Sequence, residues 1–281
     1  MTTAVGIAAY NEGQNIGKLL DKLIKDPSID DIVVIASGCT DNTVEIAQSY
    51  KQVKTFVQFK REGKASAVNV FLNYCQNELK PDILILQSAD TLPCNFTYKY
   101  LLAPFEDKVV GMVGCHPIPV NDLQSRINRV GHLLWATHHY MALRYPKAGE
   151  VCAFRNIVPS INVKTAVDEA SIEYQIVKQG YKVVYAPDAI IFNKAPLTVR
   201  DFMKQRERIF LGHMQLKDEG YQVATMKQLD VLRAALQASK NPGDLIYGAW
   251  LEYLSRYHAK SAYVDNRESH IWGMVDSTKR L

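Results

Sequence analysis

The strongest constraint on the fold is an alternation of short apolar runs and amphipathic patterns over residues 1–90. Continuous apolar runs at residues 31–36 and 83–86 are typical of strands that are buried on both faces. Between such runs, the apolar residues of segments such as 15–25 recur at helical spacing along one face. Strands that alternate with helices in this way predict an α/β fold with a mostly parallel central sheet and helices on both faces.

The same patterns predict the individual elements. Strands are predicted at residues 5–9, 31–36, 55–59, 83–86, 109–114, 182–186 and 189–192. Helices are predicted at residues 15–25, 43–50, 65–79, 125–144, 168–179 and 199–215. After Asp218-Glu219-Gly220 the chain is typical of further helices, which predicts an α/β domain at 1–217 and a C-terminal helical extension at 218–281.

Composition and missing motifs exclude several classes of protein. Of the 281 residues, 47% are hydrophobic and 22% are charged, as in ordinary globular proteins. A net charge of +4 without a basic run gives no reason to expect a nucleic-acid partner. The five cysteines are scattered without a CxxC pair, and no leader or long apolar segment is visible, so a cytoplasmic location is expected. The absence of HExxH, GxSxG, GxxxxGK[ST] and GxGxxG argues against zinc hydrolases, α/β-hydrolases, P-loop NTPases and common dinucleotide-binding enzymes.

Polar segments follow the predicted strands at their carboxyl ends, where ligands bind in open α/β sheets. These segments are residues 10–14, 37–43, 61–64 and 88–90, and their clustering predicts a nucleotide-type site. Asp90 could hold Mg²⁺ or Mn²⁺ on a diphosphate, since both cations prefer oxygen ligands. The alternative is that Asp90 only starts the turn before Pro93.

Three further segments carry charges that suit such a site. Lys64 could neutralise phosphate, or it could lie in a solvated loop. Asp168 and Glu169 begin a predicted helix, where either could act as an ionised general base and Asp168 could serve as the N-cap. Arg206 and Arg208 could bind a diphosphate or form a charged surface that faces solvent.

The order of these segments resembles that of glycosyltransferase family 2. The matching segments are Ala9-Tyr10-Asn11-Glu12, Ser37-Gly38-Cys39-Thr40-Asp41-Asn42-Thr43, Gly63-Lys64 with Val68-Asn69, Ser88-Ala89-Asp90 with Pro93, Asp168-Glu169 and Gln205-Arg206-Glu207-Arg208. They are similar to the family's PAYNE, DGSxDxT, GKxxALN, DxDxxP, ED and QxxRW segments. The resemblance implies the GT-A fold, with residues 1–217 as the catalytic domain, and sugar transfer with inversion at the anomeric carbon.

The resemblance also implies a role for each matching residue. The nucleotide-sugar-binding residues would be Ala8, Ala9, Tyr10, Glu12, Ser37, Lys64, Ser88, Ala89, Asp90, Arg206 and Arg208. Among them, Asp90 would bind the divalent cofactor, Mn²⁺ or Mg²⁺. Glu169 matches the family's catalytic Asp, and Asp168 is the alternative base.

Departures from the family pattern bear on the expected function. Ser88 replaces the first Asp of DxD, which weakens the ribose or metal contact at that position. Ser37 follows an alanine where many members have acidic residues that read the base, so uracil and guanine both stay open. Ile209 replaces the Trp that is associated with processive polymer synthases, which predicts single transfers.

The expected function is metal-dependent, non-processive transfer of a hexose from a UDP- or GDP-sugar to a hydroxyl of a glycan or a lipid-linked acceptor. The alternatives are a nucleotide-sugar-binding protein without turnover and a sugar nucleotidyltransferase. Apolar and basic residues are mixed in segments 126–147 and 245–260, which predicts core packing, a homo-oligomer interface or peripheral contact with the inner membrane face. The polar tail at residues 272–279 is a candidate lid over the site.

Overall fold

The computed structural model describes residues 1–264; the candidate lid at 272–279 lies outside the described residues. The strands are β1 (Thr3–Ala9), β2 (Asp31–Ser37), β3 (Val53–Gln58), β4 (Ile83–Ser88), β5 (Leu92–Pro93), β6 (Val110–Pro119), β7 (Cys152–Arg155) and β8 (Lys182–Asn193). The α-helices are α1 (Ile16–Leu23), α2 (Thr43–Ser49), α3 (Lys64–Tyr74), α4 (Thr97–Leu102), α5 (Arg126–Arg144), α6 (Asp168–Lys178), α7 (Val199–Asp218), α8 (Gln228–Ala238) and α9 (Pro242–Val264).

The strands of the described chain form one sheet in the order β3-β2-β1-β4-β7-β6-β8-β5. β3, β2, β1 and β4 pair in parallel, as the alternation of patterns predicts. The other half is mixed, because β7 runs antiparallel to both β4 and β6 while β6 and β8 run parallel. The predicted α/β class is confirmed.

Several elements differ from the sequence-based expectation, and neither β5 nor α4 was predicted. β7 was not predicted, although it lies between β4 and β6 near the middle of the sheet. The two strands predicted at 182–186 and 189–192 are one strand, β8, whose pairing with β6 shifts register near His116. The helix predicted at 65–79 ends at Tyr74 and continues as a π-helical turn, Cys75–Leu79.

The sheet buries one apolar layer on each face. Successive residues of β2 point to opposite faces, so Val34 packs in the layer that holds Leu19 of α1. Val33 and Ile35 pack in the other layer with Phe71 of α3. Both faces of the strand are therefore covered by helices, which explains why its sequence is continuously apolar instead of alternating.

The last helices pack on the rest of the chain. α8 and α9 contact α5, and α9 also runs along α7. The division at residue 217 therefore stays a prediction. Among the described residues, no helix combines the length and the apolar character that crossing a bilayer requires.

Gly6 of β1 is expected to be intolerant of a side chain. A Cβ at this position would overlap the ring of Phe71, which is fully buried and cannot swing into solvent. We expect Gly6→Ala to lower the free energy of unfolding by about 1–3 kcal/mol, measured by urea denaturation. Gly17→Ala is the matched control, because the atoms nearest to an added Cβ would lie 3.6 Å away and alanine favours the helix there. Equal stability of the two variants would contradict this account.

Candidate active site

A cavity of about 1200 Å³ lies at the C-terminal ends of β1, β2 and β4, and every residue predicted for the site lines it. The strand ends and the turns after them contribute Ala8, Ala9, Tyr10, Glu12, Ser37, Ser88, Ala89 and Asp90. The helices contribute Lys64, Asp168, Glu169, Arg206 and Arg208. The fold thus gathers segments that are far apart in the sequence, and the individual role of each residue stays a prediction.

The turns after β1 and β2 are fixed against the segment before α3. The guanidinium of Arg61 lies 3.9 Å from the centre of the Tyr10 ring. The backbone N–H of Glu62 donates to Ser37 Oγ at 3.2 Å. Gly38 has a φ of +66°, and a Cβ there would come within 2.5 Å of the Arg61 backbone nitrogen. Arg61, which lies in the predicted polar segment 61–64 but was assigned no role, lines the cavity beside Tyr10.

Lys64 joins the two candidate base residues. Its Nζ lies 2.8 Å from Asp168 Oδ2 and 2.8 Å from Glu169 Oε1. Lys64 is the first residue of α3, and the two acids are the first residues of α6, so the ion pair links the starts of two helices. Lys64 is thus a helix residue and not a loop residue, although 42% of its side chain is exposed.

The environment gives the two carboxyl groups opposite pKa shifts. Burial raises the pKa of Asp168, and the neighbouring Glu169 carboxylate raises it further. For Glu169, burial acts in the same direction, but the charge and hydrogen bond of Lys64, a backbone hydrogen bond and the charge of Arg208 together lower the pKa below its ordinary value. Glu169 is thus the carboxyl group that this site keeps ionised, as a general base requires.

The predicted N-cap role of Asp168 is wrong. The N-cap position of α6 is Val167, which has no side-chain capping bond, and Asp168 is already inside the helix. The side chain of Asp168 forms its ion pair with Lys64.

Glu150 is a site residue that sequence reasoning missed. Because β7 pairs antiparallel with β4, the residues before β7 lie beside the C-terminal end of β4, and Ser88 Oγ donates to the Glu150 carbonyl oxygen at 3.2 Å. Glu150 has a φ of +62°, which non-glycine residues rarely adopt, and it lines the cavity. Burial and the nearby Asp90 carboxylate raise the pKa of Glu150 to about 7.

Hard oxygen atoms collect around Glu150. Asn193, at the end of β8, is 3% exposed and donates through Nδ2 to Glu150 Oε1 at 3.4 Å. Its Oδ1 is buried without a hydrogen-bond partner in the described chain. Asp90, Glu150 and Asn193 all line the cavity and could supply oxygen ligands to a hard cation. Within residues 1–264, no cluster of three His, Cys, Asp or Glu side chains could hold a metal ion by itself.

The two arginines of α7 have different surroundings. Arg206 Nη2 donates to Glu252 Oε2 of α9 at 3.1 Å. Arg208 Nε is buried without a hydrogen-bond partner among residues 1–264, and the charge of Arg208 helps to lower the pKa of Glu169. Arg208 is therefore the better placed of the two to bind an anion near Glu169.

Family models decide the classification. A model described as glycosyl transferase family 2 matches residues 4–159, and one described as glycosyl transferase family group 2 matches residues 128–258. The chain belongs to glycosyl transferase family 2. The family that the ordered motifs predicted is confirmed.

Curated relatives of this family 2 chain are distant. It is 22% identical over 219 residues to poly-β-1,6-N-acetyl-D-glucosamine synthase of Staphylococcus aureus (strain COL), covering 72% of this chain and 52% of the synthase. It is 24% identical over 226 residues to the uncharacterised glycosyltransferase YaiP of Escherichia coli (strain K12), covering 74% of this chain and 55% of the relative. The chain thus spans about half the length of the curated relatives that it matches.

Solved structures support the GT-A fold. The mannosyltransferase PcManGT from Pyrobaculum calidifontis, in complex with GDP-Man and Mn²⁺, has a TM-score of 0.65 and 18% identity, covering 95% of this chain and 88% of that one. Glucosyl-3-phosphoglycerate synthase from Mycobacterium tuberculosis, in complex with Mn²⁺, UDP and phosphoglyceric acid, has a TM-score of 0.53 and 17% identity, covering 74% and 76%. Mannosyl-3-phosphoglycerate synthase from Rubrobacter xylanophilus has a TM-score of 0.56 and 19% identity, covering 78% and 75%.

Removal of the Lys64 charge tests whether Glu169 is the ionised carboxylate of this family 2 site. In Lys64→Met, burial would act on Glu169 without its nearest cation, so the pKa of Glu169 should rise. The acidic limb of the pH profile of kcat should move to higher pH by about one unit or more. Lys64→Arg keeps the charge and should return the acidic limb to its wild-type pH. Lys60→Met changes an exposed loop residue and should leave the pH of the limb unchanged. An unmoved limb in Lys64→Met would show that another group titrates.

Proposed function

We propose that this protein transfers a hexose from a nucleoside-diphosphate sugar to a hydroxyl acceptor, with inversion at the anomeric carbon. The observation that carries the proposal is the presence, in one cavity at the C-terminal edge of the sheet, of Asp90, the carboxylates joined by Lys64, and Arg208. Family membership supports the class of reaction. The complexes of PcManGT with GDP-Man and of the glucosyl-3-phosphoglycerate synthase with UDP support the class of donor.

The carboxylates beside Lys64 would activate the acceptor. Glu169, held ionised by Lys64, accepts the proton of the acceptor hydroxyl as its oxygen attacks the anomeric carbon. Attack on the face opposite the leaving diphosphate gives the inverted product. Asp168, whose pKa is raised, keeps Lys64 in place and thereby orients Glu169.

The oxygen ligands near Asp90 fit a hard divalent cation. Asp90 and Glu150 offer carboxylate oxygens, and Asn193 offers an amide oxygen that lacks a partner in the described chain. Bound there, Mn²⁺ or Mg²⁺ would offset the charge that develops on the leaving diphosphate. Arg208 would bind the same diphosphate through the forked hydrogen bonds of its guanidinium.

Single transfers in the cytoplasm are part of the same proposal. Ile209, in the position of the family's Trp, packs in a small apolar cluster with Val167 and Leu216 and also lines the cavity. An aliphatic side chain offers no flat ring on which a growing sugar chain could stack, which supports non-processive transfer.

A thermal-shift screen tests the proposed function. UDP, GDP, CDP and their sugars are added to the full chain with and without Mn²⁺. The true donor should raise the melting temperature by roughly 5–10 °C at about a hundredfold excess over its Kd. The stabilisation should depend on Mn²⁺. The selected donor is then assayed for release of the nucleoside diphosphate, and the configuration of the product is read by NMR.

The outcomes separate the proposal from its competitors. Binding of a nucleotide sugar without any turnover would replace transfer by a binding function, which the Ser88 departure also fits. Release of pyrophosphate from a nucleoside triphosphate and a sugar phosphate would favour a nucleotidyltransferase. A retained anomeric configuration would overturn inversion.

A further inference from the structure

The cavity continues from the carboxylates into a cleft between α5, α8 and α9. We use the name apolar cleft for the part lined by Leu134, Trp135, Leu232, Ile246, Tyr253 and Tyr257. The volume of about 1200 Å³ exceeds the ~300–1000 Å³ that is usual for a site with one small ligand. The cavity therefore has room for a second ligand beside a nucleotide sugar.

The outer part of the apolar cleft is open to solvent. Leu232 is 53% exposed, Ile246 is 70% exposed and Tyr253 is 66% exposed, although all three also line the cavity. These large apolar side chains extend from the cavity to the surface and form a path for an apolar group. Exposed apolar surface of this kind marks binding sites. The apolar cleft can therefore take a long hydrocarbon chain from outside towards the carboxylates.

Basic side chains gather in the same cavity. We use the name basic cluster for Lys147, Arg206, His213 and Arg256, which all line it. No carboxylate of residues 1–264 lies within ion-pair distance of Lys147, and Glu173 bonds instead to Tyr221 Oη at 2.6 Å and to the Ala148 N–H. Glu252, which pairs with Arg206, is the acidic side chain bonded to this cluster in the described chain.

The pKa values of the basic cluster are lowered chiefly by burial. Burial lowers the pKa of Lys147 to about 7; the Glu173 carboxylate opposes this shift and Arg206 adds to it. Burial lowers the pKa of His213 to about 3, with further contributions from Arg206, Lys147 and Arg256. Burial also lowers the pKa of Arg256, and the Glu252 carboxylate opposes this shift. A phosphate between these side chains would favour their charged forms.

We propose that the acceptor is a sugar joined to a lipid phosphate, with its hydrocarbon tail in the apolar cleft, its phosphate on the basic cluster and the attacking sugar hydroxyl at Glu169. The charge of the cluster and the apolar lining of the cleft complement the two parts of such a molecule. A neutral glycan would leave the apolar cleft empty and would offer no anion to Lys147. This proposal rests on the proposed function, because it names the acceptor class of the same site.

Binding of matched probes to the full chain tests the proposal. Farnesyl phosphate carries both parts, farnesol lacks the phosphate, and ethyl phosphate lacks the tail. In calorimetric titrations below the critical micelle concentration, farnesyl phosphate should bind at least about tenfold more tightly than either partial probe, because tail and phosphate contribute independently. Equal affinity for farnesyl phosphate and farnesol would overturn the role of the basic cluster.

Variants locate the binding site. Leu232→Asp should weaken farnesyl phosphate binding at least about tenfold by placing a charge in the apolar cleft. Leu229→Asp is the matched control, because Leu229 lies on the same helix, is 73% exposed and is not part of the cavity lining. Lys147→Gln should also weaken binding, whereas Lys51→Gln, on an exposed residue elsewhere, should not. Equal loss in Leu232→Asp and Leu229→Asp would mean non-specific adsorption and would overturn the proposal.

The same proteins separate this proposal from the proposed function. Stabilisation by a nucleoside diphosphate with Mn²⁺ should be unchanged in Leu232→Asp, since Leu232 is on α8, whose main contacts are with α5. If the nucleotide binds and farnesyl phosphate does not, the acceptor proposal fails and the proposed function stands. If no nucleotide binds to the wild-type chain, the proposed function fails.

Discussion

Glu169→Gln is expected to reduce kcat for sugar transfer by about 10²- to 10⁴-fold, the usual contribution of a general base. Glutamine keeps the size of the side chain but cannot accept the proton of the acceptor hydroxyl. Donor binding should persist, because the role assigned to Glu169 is on the acceptor. The measurement is release of the nucleoside diphosphate from the donor that the thermal-shift screen selects, together with that donor's Kd.

Asp168→Asn distinguishes the two carboxyl groups. Its raised pKa and its contact with Lys64 indicate a positioning role, so its loss of kcat should be clearly smaller than that of Glu169→Gln. Glu45→Gln is the matched control, since Glu45 is an exposed glutamate in the first turn of another helix, α2. A larger loss in Asp168→Asn than in Glu169→Gln would transfer the role of base to Asp168.

Asp90→Asn is expected to remove most of the Mn²⁺-dependent stabilisation by a nucleoside diphosphate and to lower kcat/KM at least about 100-fold. The amide is a weaker ligand than the carboxylate and adds no negative charge to hold the cation. The readouts are the melting temperature with and without Mn²⁺ and the rate of donor turnover.

Variants of nearby acids show whether the effect is local. Glu150→Gln should also weaken Mn²⁺-dependent stabilisation if its carboxylate supplies a ligand. Asp188→Asn, on an exposed residue of β8, should leave both readouts unchanged. Full Mn²⁺ dependence in Asp90→Asn would remove Asp90 from the proposed cation site.

Local patterns in the sequence were sufficient to predict the class of the fold and the candidate residues at the strand ends. Buried parallel strands are continuously apolar, and the apolar residues of the helices between them recur at helical spacing. Both signals lie within short segments of the chain. The ligand-binding edge followed from the direction of the strands, because the residues after parallel strands meet at one edge of the sheet. Tyr10, Ser37 and Asp90 do line one cavity at that edge.

Contacts between these residues depend on the packing of distant segments and could not be predicted from the same patterns. The Lys64 contact with Asp168 and Glu169 joins residues about a hundred positions apart and depends on how α3 and α6 pack. β7 was missed because Cys152–Arg155 is too short to show a period, and Glu150 was missed with it. A short strand is fixed by its neighbours in the sheet, here β4 and β6, and not by its own sequence.

The apolar cleft shows the same limit. Its residues come from α5, α8 and α9. For the segments in α5 and α9, the sequence left core packing, an oligomer interface and a membrane surface open, and it made no prediction for Leu232 of α8. Ile127 and Leu251 lie in the core, whereas Trp135 and Tyr253 line the cavity. Whether an apolar helix residue is buried or exposed depends on the angle at which the neighbouring helices cross. That angle is set by the packed helices together and cannot be found in the sequence of a single segment.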